Sequence, residues 1–176
     1  MNQSAFYGVV AGANLTLLGL WWVAVKDRTN LVGHKDAASR RAAYLVSLQF
    51  AIPATVALLA QVNPGEVAIW RFAFGSAGVV GAIGIALLAQ QIWSGTVAKV
   101  SPILFAVFGI PAYVMVVIVA FAPSVVTDAG LTLKPIEIEG MLFSALLFLG
   151  VQEAWVVSMT PTNEAEAETE VEVEIP

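Results

Sequence analysis

Three polar side chains interrupt the long apolar runs of this sequence: Asn14, Gln49 and Glu153. An amide or a carboxylate at membrane depth needs a hydrogen-bonding partner, because the surrounding lipid offers none. Polar groups in this position either hold helices together or mark the route of an ion. The sequence therefore predicts a polar cluster or a pore lining that is built from Asn14, Gln49 and Glu153.

Asn14 belongs to a series in which Tyr7, Asn14 and Trp21 recur every seven residues. This spacing places the three side chains on one face of a helix. An Asn at such a position can fix the register or the oligomeric state of a helix bundle. Three interpretations stay open for Asn14: a hydrogen bond within the bundle, a contact between copies of the chain, and a pore lining.

Two prolines interrupt helical segments near polar groups. Pro53 frees the backbone carbonyl of Gln49, and Pro111 frees that of Val107, because proline has no N–H group to donate. Each is interpreted either as a simple helix kink or as a break that coordinates an ion or a solute. Glu153 is expected to form an ion pair, to take part in gating or permeation, or to reach the membrane interface. The basic residues expected near its depth are Lys26, Arg40, Arg41 and Lys99.

The composition shows what kind of segment carries these residues. Hydrophobic residues make up 59% of the chain and charged residues 12%, and the mean hydropathy is +0.82. Apolar runs of more than ~18 residues are long enough to cross a bilayer. We expect an all-α, polytopic membrane protein with a bundle of five transmembrane helices, or four if the segment with Glu153 does not cross. The predicted spans, within a helical domain over 1–159, are about 5–25, 42–62, 68–93, 101–122 and 138–159.

Charge indicates the orientation of the chain. Basic residues concentrate in the loop from Lys26 to Arg41 after the first span, and such loops stay in the cytoplasm. We therefore expect the N-terminus outside, the C-terminus inside and a multi-pass location in the cell membrane. The first apolar run lacks a basic leader and a cleavage site, so it is expected to remain as an anchor. The acidic tail, 160–176, is expected to be disordered in the cytoplasm.

Small residues form seams on the first and third predicted spans. Such seams let helices approach closely in a membrane. We expect the third span to be a central helix with protein on both sides, and one of its seams to face the first span. The G-x-x-x-G pair of the first span is interpreted either as a packing face within the chain or as a dimerisation seam. The seam residues are Gly8, Gly12, Thr16 and Gly19 on the first span, and Ala73, Gly75, Ala77, Gly78, Gly81 and Gly84 on the third.

Several kinds of chemistry have no residues to support them. The chain has no cysteine and a single histidine, His34, in the basic loop, which is too little for a haem or a metal site. The G-x-S-x-G and H-E-x-x-H patterns and the phosphate-binding loop are also missing from the sequence. We expect no enzymatic activity, cofactor, metal or nucleic-acid partner.

These observations favour a membrane protein that acts by association. One copy of five helices is expected to bury Asn14, Gln49 and Glu153 only partly, so copies should assemble around them. The preferred hypothesis is a homo-oligomeric channel or pore subunit in the lipid bilayer. The alternative is a non-conducting accessory or scaffold subunit of a larger membrane complex.

Overall fold

The computed structural model describes residues 3–26, 37–62, 67–93 and 100–159. Within these ranges, all regular secondary structure is helical, which confirms the predicted fold class. The helices are α1 (Gln3–Lys26), α2 (Ala37–Val62), α3 (Val67–Trp93), α4 (Val100–Phe121), α5 (Ser124–Asp128) and α6 (Pro135–Met159).

Four of these helices, α1, α2, α3 and α6, are long and apolar enough to cross a membrane. The segment with Glu153, for which the sequence left the crossing open, is among them. Helix α4 has 22 residues, but its apolar stretch, Phe105–Phe121, is shorter than the other four. The chain is therefore a multi-pass membrane protein with four helices that can span.

The connection between α4 and α6 is more ordered than the loop that the sequence predicts. It contains the short helix α5, and the N–H of Leu131 donates to the carbonyl of Val126 at 3.1 Å beyond its end. Gly130 has a φ of 74°, the left-handed conformation that commonly terminates a helix and that glycine adopts without strain.

Glycines bring α3 and α4 together in the most extensive helix contact of the described chain. A Cβ atom at Gly78 would lie 2.8 Å from the carbonyl oxygen of Tyr113, and one at Gly81 would collide with the Tyr113 ring. On its other side α3 contacts α2, where a Cβ at Gly84 would lie 3.3 Å from Gln49 Nε2. Helix α3 is therefore covered by protein on two sides, as its small residues predict.

The predicted pairing of the first and third seams is wrong. Helix α1 packs mainly against α2 and secondarily against α6. A Cβ atom at Gly12 or at Gly19 would have no neighbour within 4 Å among the described residues, and Thr16 is also exposed. The larger residues on the opposite face, Tyr7 and Trp21, bury more apolar surface than this seam could, so they turn α1 towards the bundle.

Helices α2 and α6 each pack against three other helices. Helix α2 packs against α1, α3 and α6, and α6 packs against α4, α2 and α1. Both helices carry polar residues from the sequence-predicted cluster, so these residues lie where several helices meet.

Candidate functional site

Glu153 lies on the buried face of α6. The residues of this face recur at alternating intervals of four and three: Glu139, Phe143, Leu146, Gly150 and Glu153. This spacing keeps side chains on one side of a helix. Glu153 is 1% exposed, and neither of its carboxylate oxygens has a hydrogen-bond partner among the described residues. The helix register therefore holds a carboxyl group inside the bundle.

Gln49 and Tyr113 meet beside Glu153. The hydroxyl of Tyr113, on α4, donates a hydrogen bond to Gln49 Oε1, on α2, over 2.8 Å. Tyr113 also interacts electrostatically with Glu153. Gly150, one turn before Glu153, brings α6 against α2, since a Cβ there would lie 3.4 Å from the Cβ of Gln49. Helices α2, α4 and α6 thus each contribute one side chain to a buried polar cluster, defined here as Gln49, Tyr113 and Glu153.

The polar cluster has unused hydrogen-bonding capacity. Gln49 Nε2 and both oxygens of Glu153 lack partners within the described part of the chain. Their burial is complete enough to exclude lipid headgroups and bulk solvent, with Gln49 at 2% exposure. Unpaired buried polar atoms cost about 1 to 3 kcal/mol each. An arrangement that retains several of them is typical of a site that binds something rather than of a structural core.

Asn14 lies in the interior of the bundle and not on its surface. It is 0% exposed, and its Nδ2 donates to the carbonyl of Val10 in its own helix at 2.9 Å. Its Oδ1 has no partner among the described residues. Asn14 thus makes a hydrogen bond within α1 and keeps one available acceptor atom, and the contact between copies and the pore lining stay predictions.

The expectation that one copy would bury the three polar residues only partly is wrong. A single chain encloses Asn14, Gln49 and Glu153, because α1, α2, α4 and α6 surround them. The polar residues therefore do not by themselves call for self-association.

The predicted ion pair of Glu153 is not seen in the described chain. Arg41 and Lys26 are exposed, whereas Glu153 lies inside the bundle without a hydrogen-bonding partner. Lys99 lies outside the described residues, as do His34, most of the basic loop and the acidic tail.

The sequence did not identify a second buried carboxyl group, Glu139. Glu139 follows Glu137 by two residues near the start of α6. The two residues are about 200° apart around a helix, so they cannot share a face. Glu137 is exposed and its Oε2 accepts a hydrogen bond from the N–H of Lys134 at 3.0 Å, as in a capping box. Glu139 is fully buried, and both its oxygens lack partners among the described residues.

Tyr7 is the polar neighbour of Glu139. Its hydroxyl donates to the carbonyl of Ile136 over 2.6 Å, and Tyr7 and Glu139 interact electrostatically. The Tyr7 ring also packs edge-on against Phe74 of α3, with ring centroids 6.0 Å apart. The signal for Glu139 was present in the sequence, since it precedes Glu153 by fourteen residues and so lies on the same helix face.

The two prolines lie inside helices in different surroundings. Pro53 is a buried residue of α2, one turn beyond Gln49, whereas Pro111 is an exposed residue of α4. Only Pro53 therefore stands near the polar cluster, where the carbonyl of Gln49 lacks its usual helical donor.

A surface groove of the described bundle is not lined by any residue of the polar cluster. It has a volume of about 230 Å³ and is lined mostly by apolar side chains of α1 and α6, among them Leu17, Trp21 and Trp155. It contains none of Asn14, Gln49 and Glu153. The apolar lining of this groove is typical of a surface that faces lipid. The candidate site is therefore the buried polar cluster.

Within the described ranges, no three His, Cys, Asp or Glu residues gather closely enough to hold a metal ion. Comparison of the chain with protein-family models, with curated proteins and with solved structures gives no match. The fold and the site therefore define only the class of the protein: an all-α, multi-pass membrane protein with carboxyl groups buried in its bundle.

Proposed function

We propose that this chain is a small membrane transport protein, a channel or pore subunit that passes a cation through the interior of each copy. The observation that carries this proposal is Glu153, a fully buried carboxyl group without a hydrogen-bonding partner, next to Gln49 and Tyr113. Ionisable residues inside membrane bundles are costly and usually mark ion or proton routes. A carboxyl group attracts cations and repels anions.

The proposed pathway differs from a pore on an oligomer axis. Asn14, Gln49 and Glu153 are enclosed by one copy, so they support a route within each chain. We propose five spans, with α4 crossing as well, the N-terminus outside and the C-terminus in the cytoplasm. The charge of the loop between α1 and α2 supports this orientation.

A flux measurement on the purified chain tests this function. Reconstituted into liposomes, the protein should dissipate an imposed membrane potential, as followed with a potential-sensitive dye. Glu153→Gln removes the charge with little change of shape, so it should lower the rate at least about tenfold. The matched control is Glu137→Gln, which alters an exposed Glu of the same helix and should keep the wild-type rate. A wild-type rate equal to that of empty liposomes would refute transport.

A specific observation supports the alternative, an accessory subunit. The small-residue face of α1 is uncovered at Gly12, Thr16 and Gly19, and such faces pack against other helices in membranes. The same face would serve self-association of a channel. The two functions differ in the purified protein: a channel conducts without other subunits, whereas an accessory subunit co-purifies with a partner and gives no current.

A further inference from the structure

The buried face of α6 carries carboxyl groups near both of its ends. Glu139 and Glu153 are fourteen residues apart on this face, which is about 21 Å along a helix at 1.5 Å per residue. Both are fully buried, and none of their four oxygen atoms has a hydrogen-bond partner among the described residues. The buried face of α6 therefore holds one carboxyl group near each end.

Asn14 lies at an intermediate depth. The bond from Tyr7 to the carbonyl of Ile136 aligns the start of α1 with the start of α6. From Tyr7, Asn14 is seven residues further along α1, or about 10 Å beyond the level of Ile136, which is between the levels of Glu139 and Glu153. Its Oδ1 is a buried acceptor without a partner among the described residues. Polar groups thus occupy the two ends and the middle of the same interior.

Each of the two carboxyl groups has polar neighbours on other helices. The titratable neighbour of Glu139 is Tyr7, on α1, and that of Glu153 is Tyr113, on α4. The neighbour that α2 contributes near Glu153 is the uncharged Gln49. The hydroxyls of Tyr7 and Tyr113 donate to Ile136 and to Gln49, so the donor that remains unpaired near Glu153 is Gln49 Nε2.

Packing around the polar cluster is close. A Cβ atom at Gly84 would lie 3.3 Å from Gln49 Nε2, and one at Gly150 would lie 3.2 Å from the Phe50 ring. A dehydrated Mg²⁺ or Ca²⁺ ion needs about six or more oxygen ligands in an ordered shell. A proton needs a single carboxylate oxygen.

We propose that the cation carried by this protein is the proton, and that Glu139 and Glu153 take it up and release it in turn. This inference rests on the proposed transport function. On entry, a proton binds one carboxylate oxygen and gives a neutral carboxyl group. On exit, the O–H bond breaks, the proton leaves and the carboxylate is restored, so no other reactant is consumed.

The test measures which ion crosses the bilayer. Proteoliposomes enclose a pH-sensitive dye, and a potassium gradient with valinomycin sets the potential that drives protons inwards. We expect the wild type to acidify the interior, and Glu139→Gln and Glu153→Gln each to slow acidification at least about tenfold. Glu137→Gln, on the exposed side of α6, should acidify at the wild-type rate. Glu139→Asp and Glu153→Asp keep a carboxyl group and should retain more flux than the Gln variants.

Size-exclusion profiles and helical circular dichroism identify any variant that fails to fold. If a Gln variant fails, the acidification rate of the corresponding Asp variant is compared with that of the wild type. Sodium or potassium flux without acidification would overturn the proton assignment and leave the transport function standing. Wild-type acidification that survives both Gln substitutions would overturn the role of the two carboxyl groups. Absence of flux for every ion would overturn the transport function itself.

Discussion

At the scale of single residues, a hydrogen bond connects Tyr113 and Gln49 within the polar cluster. It joins α4 to α2 in a buried environment over 2.8 Å, while Gln49 Nε2 has no partner among the described residues. The amide therefore depends on one bond for its position. Because Gln49 also contacts α3 and α6 through Gly84 and Gly150, that bond fixes a side chain on which four helices converge.

Tyr113→Phe removes the hydroxyl and keeps the ring. Gln49 Oε1 then becomes a buried acceptor without a donor, so the free energy of unfolding should fall by about 1 to 3 kcal/mol. Thermal unfolding in detergent measures the change. The control is Tyr44→Phe, since Tyr44 is 56% exposed and its loss should have little effect. Equal melting temperatures for Tyr113→Phe and the wild type would show that the bond does not stabilise the bundle.

At the scale of helices, glycines decide which elements touch. Several glycines in one helix would each cost roughly 1 kcal/mol in water, but in α3 they make room for α4: its backbone approaches at Gly78, and two of its aromatic rings pack at Gly75 and Gly81. The contact holds the segment with Tyr113 against α3. Close helix packing therefore positions one side chain of the polar cluster.

Gly78→Ala tests this contact. The added Cβ would lie 2.8 Å from the carbonyl oxygen of Tyr113 and 2.6 Å from a Val117 methyl group, so backbone must move. We expect a loss of about 1 to 3 kcal/mol, as for other overpacked sites. Gly12→Ala is the control, since its Cβ would meet nothing within 4 Å and should leave stability unchanged or slightly higher. Equal melting temperatures for Gly78→Ala and Gly12→Ala would show that α3 and α4 are not in close contact.

At the scale of the whole molecule, the number of crossings depends on α4. If α4 crosses, the segment around Leu131 lies on the same side of the membrane as Val62, and Met159 lies on the other. If α4 does not cross, Leu131 moves to the side of α1's C-terminal end and Met159 joins Val62, an arrangement that would break the bond between Tyr7 and Ile136 at the starts of α1 and α6. The two arrangements place α6 in opposite directions across the membrane. They therefore exchange the sides of the membrane to which Glu139 and Glu153 lie nearest.

Single cysteines distinguish these arrangements, because the native chain has none. Val62→Cys, Leu131→Cys and Met159→Cys each alter an exposed residue. With an impermeant maleimide added to intact cells, we expect labelling at Val62→Cys and Leu131→Cys but not at Met159→Cys. Labelling at Met159→Cys with protection at Leu131→Cys would show four crossings. Protection at Val62→Cys would reverse the orientation.

Local properties of the sequence were sufficient to predict the helical class, the apolar segments and the close packing on α3, because length, hydropathy and side-chain size act within one helix. The same properties could suggest Asn14, Gln49 and Glu153, since polar residues are conspicuous in apolar runs. They could not show which faces meet. The bundle left Gly12 and Gly19 uncovered while it buried Tyr7 and Trp21, because apolar area buried by all helices together decides how each one turns.

The tertiary structure alone decided that one copy encloses the polar residues and that Tyr113 joins Gln49. It also decided that Glu139 and not Glu137 faces the bundle, because the helical repeat puts the two residues on opposite sides of α6 without saying which side is covered. A helix turns once every 3.6 residues, so adjacent residues point in different directions. The neighbours of a buried side chain therefore come from other helices.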